Sequence, residues 1–539
     1  MGFHISRLDV AVSKVTRNHM LNMCYRFHKD SQYHSGLPET RKHQACVQCV
    51  VSDNMRVCLI NPPRIHPKAW GKPTAYQPLG LAYVAAVLEK QHKVSIIDSP
   101  TEGWRNLEPL GETRYRVGLS NEETADRIKR WSPDLVEINV PFSGWSTAAF
   151  DVASVVKNVD KDIVTVLDGL HPSARPVDCL SNPDIDFVVR GEPEYSLLEL
   201  VGALEQGKSS RELKKIKGIG FIENGKTSIT LPRPEIMDLD ALPFPARHLL
   251  PMDIYFESAK EKPIRGEIHK RYTLVMTSRG CPHNCIFCSN HIVMGKNWRG
   301  RSPENVVKEI EEVVRTYSIE QIDFVDENMT LKKKRVEKIC DLVVENGLNI
   351  EWYVPNGVRA DKLDEELLRK MRASGCRGIR VAPESGVQRV VDNIIKKKLN
   401  LKDVERAVVL AKKAGIKVGV FFILGLIGET KEDIQETIKF AHKLKKLGAS
   451  TFQFSIATPL YGTELYEMAE KGGFLREEFS DEALAAIEPL IETEEFTAED
   501  IRMLCAQANM INQGISRDKL VKAIRNPKKA IRAILGKMN

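Results

Sequence analysis

Three cysteines, Cys281, Cys285 and Cys288, stand in the segment CPHNCIFC with three and then two residues between them. Thiolates at this spacing suit a four-iron, four-sulfur cluster in which protein holds three irons and the fourth stays open to a small molecule. The alternative is a structural zinc knuckle with His283 or His291 as fourth ligand, although zinc sites usually take four ligands in two short pairs. The preceding segment, Tyr272 to Gly280 (YTLVMTSRG), reads as a buried strand ending in a turn. The triad therefore occupies a loop at the C-terminal end of a strand, where α/β folds keep their chemistry.

Strands and helices alternate after the triad. Ser302-Pro303 opens a helix to Tyr317, an N-cap followed by proline at the first helical position. Strand 321–325 ends in Asp326-Glu327-Asn328, strand 351–354 leads into Asn356-Gly357-Val358-Arg359, and strand 378–382 ends in Pro383-Glu384-Ser385-Gly386. Strand 417–424 runs into Gly425-Leu426-Ile427-Gly428-Glu429, and strand 451–456 into Ala457-Thr458-Pro459. Helices 332–346, 365–374, 401–414 and 431–447 separate them. Six such units predict a partial (β/α)6 barrel of the TIM type, its polar and glycine residues gathered on one rim.

The triad and these strand ends resemble the radical S-adenosylmethionine (SAM) superfamily, whose signature is CxxxCxφC, with Phe287 at the aromatic position. The resemblance covers roughly Met55 to Gly473 and is to the class with an N-terminal cobalamin-binding domain, the class B radical SAM methyltransferases. It implies that Cys281, Cys285 and Cys288 bind a [4Fe–4S] cluster whose open iron takes the amino and carboxylate groups of SAM. By the same resemblance Glu327 meets the methionine amino group, Arg359 and Glu384 contact the methionine and ribose portions, and Gly425 brings backbone close to the adenine. Rim salt bridges and plain turn glycines are the bland readings of these positions. The implied chemistry is reductive cleavage of the sulfonium C–S bond by a low-potential electron, giving a 5′-deoxyadenosyl radical. That radical takes hydrogen from an unactivated carbon, in a pocket that excludes water. A low-potential electron donor of the ferredoxin or flavodoxin type is the implied protein partner.

Ahead of the barrel, residues 55–200 read as a doubly wound, Rossmann-like parallel sheet. Val57–Ile60 is a short strand halted by Asn61-Pro62-Pro63, helix 79–90 follows, and strands 94–97, 135–140, 163–167 and 187–189 end in turn chemistry. Ligands of this fold lie outside the carboxyl ends of the strands. The NPP at 61–63, PLG at 78–80, GLHP at 169–172 and RGEPE at 190–194 resemble the cobalamin-binding domain of radical SAM enzymes. The resemblance implies cobalamin contacts from Asn61, Pro78, Gly169, His171, Gly191 and Glu192. The DxHxxG motif, whose histidine ligates cobalt in many other cobalamin proteins, is missing, as is common in this class, and the usual glycine pair is Asp168-Gly169. A Rossmann-like scaffold without cofactor is the alternative. Cobalamin above the barrel mouth implies methylation of a carbon with no acidic proton. The second enzyme reading is a radical SAM cyclase or C–C bond-forming enzyme acting on a lipid or tetrapyrrole, and a non-catalytic metal-binding scaffold is the third.

The bulk numbers bound these readings. At 539 residues the chain exceeds one core and suits about three domains, and 42% hydrophobic with 28% charged residues is ordinary for a soluble globular protein. No apolar run approaches a membrane span and no secretory signal is evident, so a reducing cytoplasm is expected for the 11 cysteines. The net charge of +7 belongs wholly to residues 511–539, which carry eight Lys or Arg against Asp518 and leave 71 basic and 71 acidic residues elsewhere. A neutral body lacks the basic groove of a nucleic-acid enzyme. The tail's Leu520, Val521, Ile524, Ile531, Ile534 and Leu535 among those basic residues read as a basic amphipathic helix, hence peripheral membrane contact and a lipid substrate, or as a solvated terminal helix. Residues 1–54 hold five of the 13 histidines without periodicity and read as a disordered extension or mis-called start. Within them His43, Cys46 and Cys49 form a weak metal motif, and Gly2 with Ser6 a weak myristoylation motif. The expected domains are 55–200, a linker at 201–265 with a hairpin at 218–231, the barrel at 266–473 and a helical region at 474–539.

Overall fold

The alternating apolar segments form two open sheets in the computed structural model, which describes residues 54–68, 71–261, 270–485 and 488–513. The first sheet contains β1 (Arg56–Asn61), β2 (Lys93–Asp98), β3 (Leu135–Asn139), β4 (Val164–Asp168), β5 (Phe187–Val189), β6 (Ile219–Glu223) and β7 (Lys226–Ile229). Their order is β7-β6-β5-β4-β3-β1-β2. β1 to β5 run parallel, and both faces are covered, which is why their sequences are continuously apolar. Leu59, Leu135 and Val166 pack one face while Cys58, Val136 and Leu167 pack the other.

The hairpin expected in the linker joins this sheet. β6 pairs antiparallel with β5 and β7 with β6, so the two strands cover an edge that three-residue β5 would otherwise expose. A small antiparallel sheet of Arg64–Pro67, Leu107–Leu110 and Arg114–Val117 has no counterpart in the expected pattern, because its strands are short and polar.

The second sheet contains β8 (Tyr272–Val275), β9 (Gln321–Phe324), β10 (Glu351–Val358), β11 (Cys376–Glu384), β12 (Lys417–Leu424) and β13 (Thr451–Ile456), all parallel and in sequence order. This is the partial six-stranded barrel. β10 runs on to Val358, past the expected end at Val354, with a register shift against β11 that accommodates Pro355-Asn356-Gly357. Helix Pro303–Tyr317 shows how the outer layer forms: Ser302 caps its N-terminus through the Asn305 amide (3.1 Å), and Val306, Ile310 and Val313 fall on one buried face.

An open barrel leaves two edge strands, and a side-chain amide sits on each. Gln77 accepts from the Leu274 amide (3.2 Å) and donates to the Tyr272 carbonyl (3.2 Å) on β8. Asn512, which follows helix Ala498–Asn509, accepts from the Phe452 amide (3.0 Å) and donates to its carbonyl (2.7 Å) on β13. Both amides imitate a neighbouring strand.

Two buried charge groups fasten the barrel to the chain that precedes it. Glu309 of the Pro303–Tyr317 helix receives Arg247 (2.6 Å) on one oxygen and Arg301 on the other, and Arg247 also donates to the Leu274 carbonyl (2.6 Å). Between the sheets, Arg279 meets Glu192 (3.0 Å) and Glu194 (2.6 Å), and Arg299 meets Glu192 (2.7 Å); all four side chains are at most 3% exposed. The weakly grounded motifs at Gly2, Ser6, His43, Cys46 and Cys49, and the basic tail sequence, lie outside the described residues. Among the described residues no helix is long and apolar enough to cross a membrane.

A buried ion group adds little net stability when complete, but removing one partner strands a charge. Arg247→Met leaves Glu309 with a single counter-ion and is expected to cost about 3–5 kcal/mol, read as a lowered denaturant midpoint.

Candidate active site

The cysteine loop is tied off at its base by a two-stranded ribbon, Ser278–Arg279 against Arg299–Gly300. Arg279 and Arg299, the pair that meets Glu192 and Glu194, therefore stand at the two feet of the loop. Inside it the Cys288 amide donates to the Cys285 carbonyl (3.0 Å), and the Ile286 amide and carbonyl are held by Ile395 (3.2 Å) and Leu465 (2.9 Å). Cys281, Cys285 and Cys288 are unpaired and half-buried, whereas the other described cysteines are buried. Burial pushes the Cys285 thiol up to about 11 and Cys288 upward, so cationic iron would have to displace their protons. Phe287 packs against the barrel core.

Both histidines of the zinc alternative have Nδ1 engaged. His283 Nδ1 lies 3.5 Å from Arg359, and burial with the Arg359 and Lys397 charges holds it down at about 4. His291 Nδ1 is turned to the Cys288 carbonyl at 2.9 Å.

The barrel's strand ends bring the remaining rim candidates to the same loop. Glu327 follows β9; burial raises its carboxyl to about 7, and its Oε2 has no partner. Its neighbour Asn328 lies 3.9 Å from Cys281 Sγ. Glu384 ends β11 at a φ of 68°, a conformation costing a non-glycine residue of order 1–3 kcal/mol, and pairs with Lys397 at 2.7 Å. Arg359 follows β10 and bonds Asp361 (2.8 Å) and the carbonyls of Lys397 (3.0 Å) and Lys398 (3.1 Å). Gly425 follows β12 at a φ of 85°; a Cβ there would come 3.1 Å from Ile501, and its amide donates to Glu429 (2.9 Å).

Lys397 and Glu429 escaped the sequence reading. Lys396-Lys397-Lys398 looks like a solvated charge run, but the chain turns at φ of 62° and 50° on either side of Lys397 and sends its side chain inward. A π-helical turn, Val390–Ile394, precedes it, an irregularity common at functional sites. The apolar flanks Ile395 and Leu399 were the available signal. Glu429 is buried with Oε1 unpartnered, its carboxyl raised to about 8 by desolvation, and it ties down the Gly425–Leu426 turn.

On the first sheet the cofactor candidates divide. Asn61 donates to Asp98 (2.7 Å), a carboxyl that burial raises to about 6, and Pro78 leads the helix Leu79–Leu88. Gly169 has a φ of 103°, and a Cβ there would strike the Val140 carbonyl at 2.7 Å, so glycine allows close packing against the end of β3. His171 is buried between Phe150 and Tyr461, its Nε2 3.7 Å from Asp481 and its Nδ1 unpartnered. Asp481 also receives Tyr461 (2.7 Å) and Ser146 (2.8 Å), fastening the chain's later segment over this sheet. Both oxygens of Glu192 are engaged by Arg279, Arg299 and the Ile236 amide, which makes it a joint between the two sheets. Gly191 borders an open cleft of about 170 Å³ shared with Arg190, Arg233, His291 and Val293.

Residues 275–441 match the Radical SAM superfamily and residues 73–201 the B12 binding domain. The chain is 36% identical to an uncharacterized methyltransferase of Pyrococcus horikoshii, over 84% of this chain and 91% of that one. It is 33% identical to the cytidylyl-2-hydroxyethylphosphonate methyltransferase of Streptomyces wedmorensis, over 83% and 85%. In fold it resembles the radical SAM methyltransferase TsrM of Kitasatospora setae, solved with cobalamin and a [4Fe–4S] cluster, at a TM-score of 0.61 and 18% identity over 78% and 79% of the two chains. The chain belongs to the radical SAM superfamily, in the branch whose members carry a B12-binding domain. The cofactors of that branch are a [4Fe–4S] cluster, SAM and cobalamin.

The orphaned polar atoms fit such cofactors. Glu327 Oε2, Asn328 Oδ1 and His283 Nε2 around the cysteine loop, and His171 Nδ1, Arg190 Nε and Glu194 Oε2 on the first sheet, are buried without partners. Buried polar atoms are normally satisfied, and clusters of exceptions mark where polar ligands bind.

Glu429 makes this rim sensitive to pH. The unfolded carboxyl releases its proton near 4.5, whereas the folded one keeps it to about 8. Folding therefore binds a proton in that window, and stability falls as pH rises through it. Glu429→Gln keeps an oxygen for the two amides without the ionisation. It is expected to reduce that slope, leaving the contributions of Glu327 and Asp98, in denaturant midpoints measured from about pH 5 to about pH 8.

Proposed function

We propose that this protein transfers a methyl group to an unactivated carbon of a small-molecule substrate. The observation that carries the reading is the joint between the cysteine loop and the first sheet, which sets the loop beside the strand ends where a B12-binding domain holds its ligand. When bound, the cluster and SAM supply a radical able to remove hydrogen from carbon, and cobalamin a transferable methyl group. In this reading Cys281, Cys285 and Cys288 hold the cluster and Phe287 backs the loop. Glu327, half-buried with Oε2 unpartnered, receives the methionine amine; Arg359 and Glu384 orient the methionine and ribose, with Lys397 neutralising Glu384; and Gly425, fixed by Glu429, borders the adenine. Asn61, Pro78, Gly169, Gly191 and the neighbourhoods of His171 and Glu192 frame the cobalamin side. Burial of Asp326 and Asn328 helps keep water from the reacting carbon.

Methyl transfer is favoured over cyclisation by the reach of the similarities. The two methyltransferases align over 84% and 83% of this chain. The anaerobic magnesium-protoporphyrin IX monomethyl ester cyclase of Rubrivivax gelatinosus aligns over 60%, and over 56% of its own length. The phosphonate substrate in the name of the Streptomyces relative supports a polar metabolite, and the basic apolar tail sequence a lipid.

Anaerobic reconstitution tests the proposal. Chain loaded with iron, sulfide and cobalamin is expected to retain cobalt and, with reductant and SAM, to form 5′-deoxyadenosine. Label from methyl-labelled SAM should reach the substrate, and C281A should abolish 5′-deoxyadenosine. Formation of 5′-deoxyadenosine without label transfer would select the cyclase reading. Deleting residues 515–539 is expected to abolish binding to anionic vesicles if the substrate is a lipid; unchanged binding sinks that branch.

A further inference from the structure

Of the three lysines at 396–398, Lys397 alone turns inward, and two ties fix its backbone to the cysteine loop. Its carbonyl accepts Arg359 Nη1 at 3.0 Å, and the same nitrogen lies 3.5 Å from Nδ1 of His283, between the first two cysteines. Two residues earlier, the Ile395 carbonyl accepts the amide of Ile286, the neighbour of Cys285, at 3.2 Å. From this anchored backbone the side chain, 13% exposed, reaches Glu384 at 2.7 Å, whose own side chain is 8% exposed. Burial lifts the Cys285 and Cys288 thiols, and the Lys397 charge opposes that lift, so the ammonium lies within electrostatic reach of both. On both thiols the lysine outweighs the glutamate. The neighbouring cation, Arg359, has its own carboxylate in Asp361 at 2.8 Å.

An ion pair is neutral as a whole, but its effect on a neighbour follows the nearer charge, here the positive one. An iron–sulfur cluster gains one negative charge when it takes up an electron, and its potential responds to net charge, hydrogen bonds to sulfur and solvent exposure. A positive end held toward two of its three thiolates favours the reduced form. We infer that Lys397, anchored to the loop and held by Glu384, raises the reduction potential of the cluster on Cys281, Cys285 and Cys288, with Glu384 as the counter-charge that limits the rise. The inference rests on the cluster assigned in the function proposed above. One electron from an external reductant reduces the cluster by one and oxidises the reductant by one, and no bond or proton moves at Lys397. The left-handed backbone at Glu384, Lys396 and Lys398 holds the two charges in this order, a use for strain that turn formation alone does not supply.

The experiment is a redox titration of the full chain, reconstituted anaerobically with iron and sulfide and reduced by dithionite through mediators. No SAM is added, and the reduced cluster is followed by electron paramagnetic resonance. K397M removes the positive charge and leaves Glu384. Its midpoint should fall by about 59 mV, a tenfold change in a one-electron equilibrium, the effect of a unit charge roughly 10 Å away at an effective dielectric of about 20. E384Q strands the lysine and should move the midpoint upward by a similar amount. K397R keeps the charge and should stay nearer to the parent than to K397M. Opposite signs identify the charges as the cause, because loosened packing would move both variants the same way. Unchanged midpoints, or shifts of one sign, in variants that hold the parent's iron and sulfide overturn the inference and leave the proposed function standing. If K397M takes up no cluster, E384Q decides: an upward shift supports the inference, and no shift or a downward one overturns it. Parent protein that takes up no cluster refutes the proposed function first, and the role of Lys397 with it.

Discussion

The geometry of this protein depends on four buried charges. Arg279 and Arg299 stand at the feet of the cysteine loop, while Glu192 and Glu194 come from the loop and first helical turn after β5. Their attraction need not exceed the cost of drying them, and their value is registry: an arginine has no other buried partner to choose if the two sheets slide. The second group, Arg247 and Arg301 on Glu309, repeats the device between the linker and the barrel. Hydrophobic contact alone is non-directional and would hold the sheets together without specifying how they meet.

Much of this was legible beforehand. The strand ends of both sheets, the loop position of the cysteines and the partial barrel all follow from runs of apolar residues stopped by glycine, proline and acids, which act locally. What was hidden depends on chain segments far apart. The hairpin at 219–229 reads as linker because nothing local says that β5 needs a partner strand. Glu192 lies in a motif that suggests a ligand contact, yet its carboxylate is committed to arginines 87 and 107 residues away. Lys397 is hidden for the opposite reason: three successive lysines signal solvent, and only the backbone turns beside it carry the middle one inward.

Those turns set the character of the rim. Glu384, Lys396 and Lys398 all adopt left-handed backbone conformations, and they surround the ion pair of Glu384 with Lys397 and the two carbonyls gripped by Arg359. Strain of this sort persists only where surroundings over-determine it. Here the surroundings are the rim contacts themselves, so Arg359, Glu384 and Lys397 form one mechanical unit, and a ligand that moves one of them must move all three.

The two side-chain amides on the barrel edges have a further consequence. A sheet that does not close presents unpaired amides and carbonyls that invite another chain to add as a strand, the first step toward insoluble assemblies. Gln77 comes from the first sheet's region and Asn512 from the far end of the described chain, so each edge is quenched by a segment foreign to the barrel. The barrel's colloidal behaviour is thereby placed in the keeping of its neighbours. A barrel excised between residues 270 and 480 would lose both quenchers at once, and its sticky borders would govern its fate in the test tube however well its core was packed.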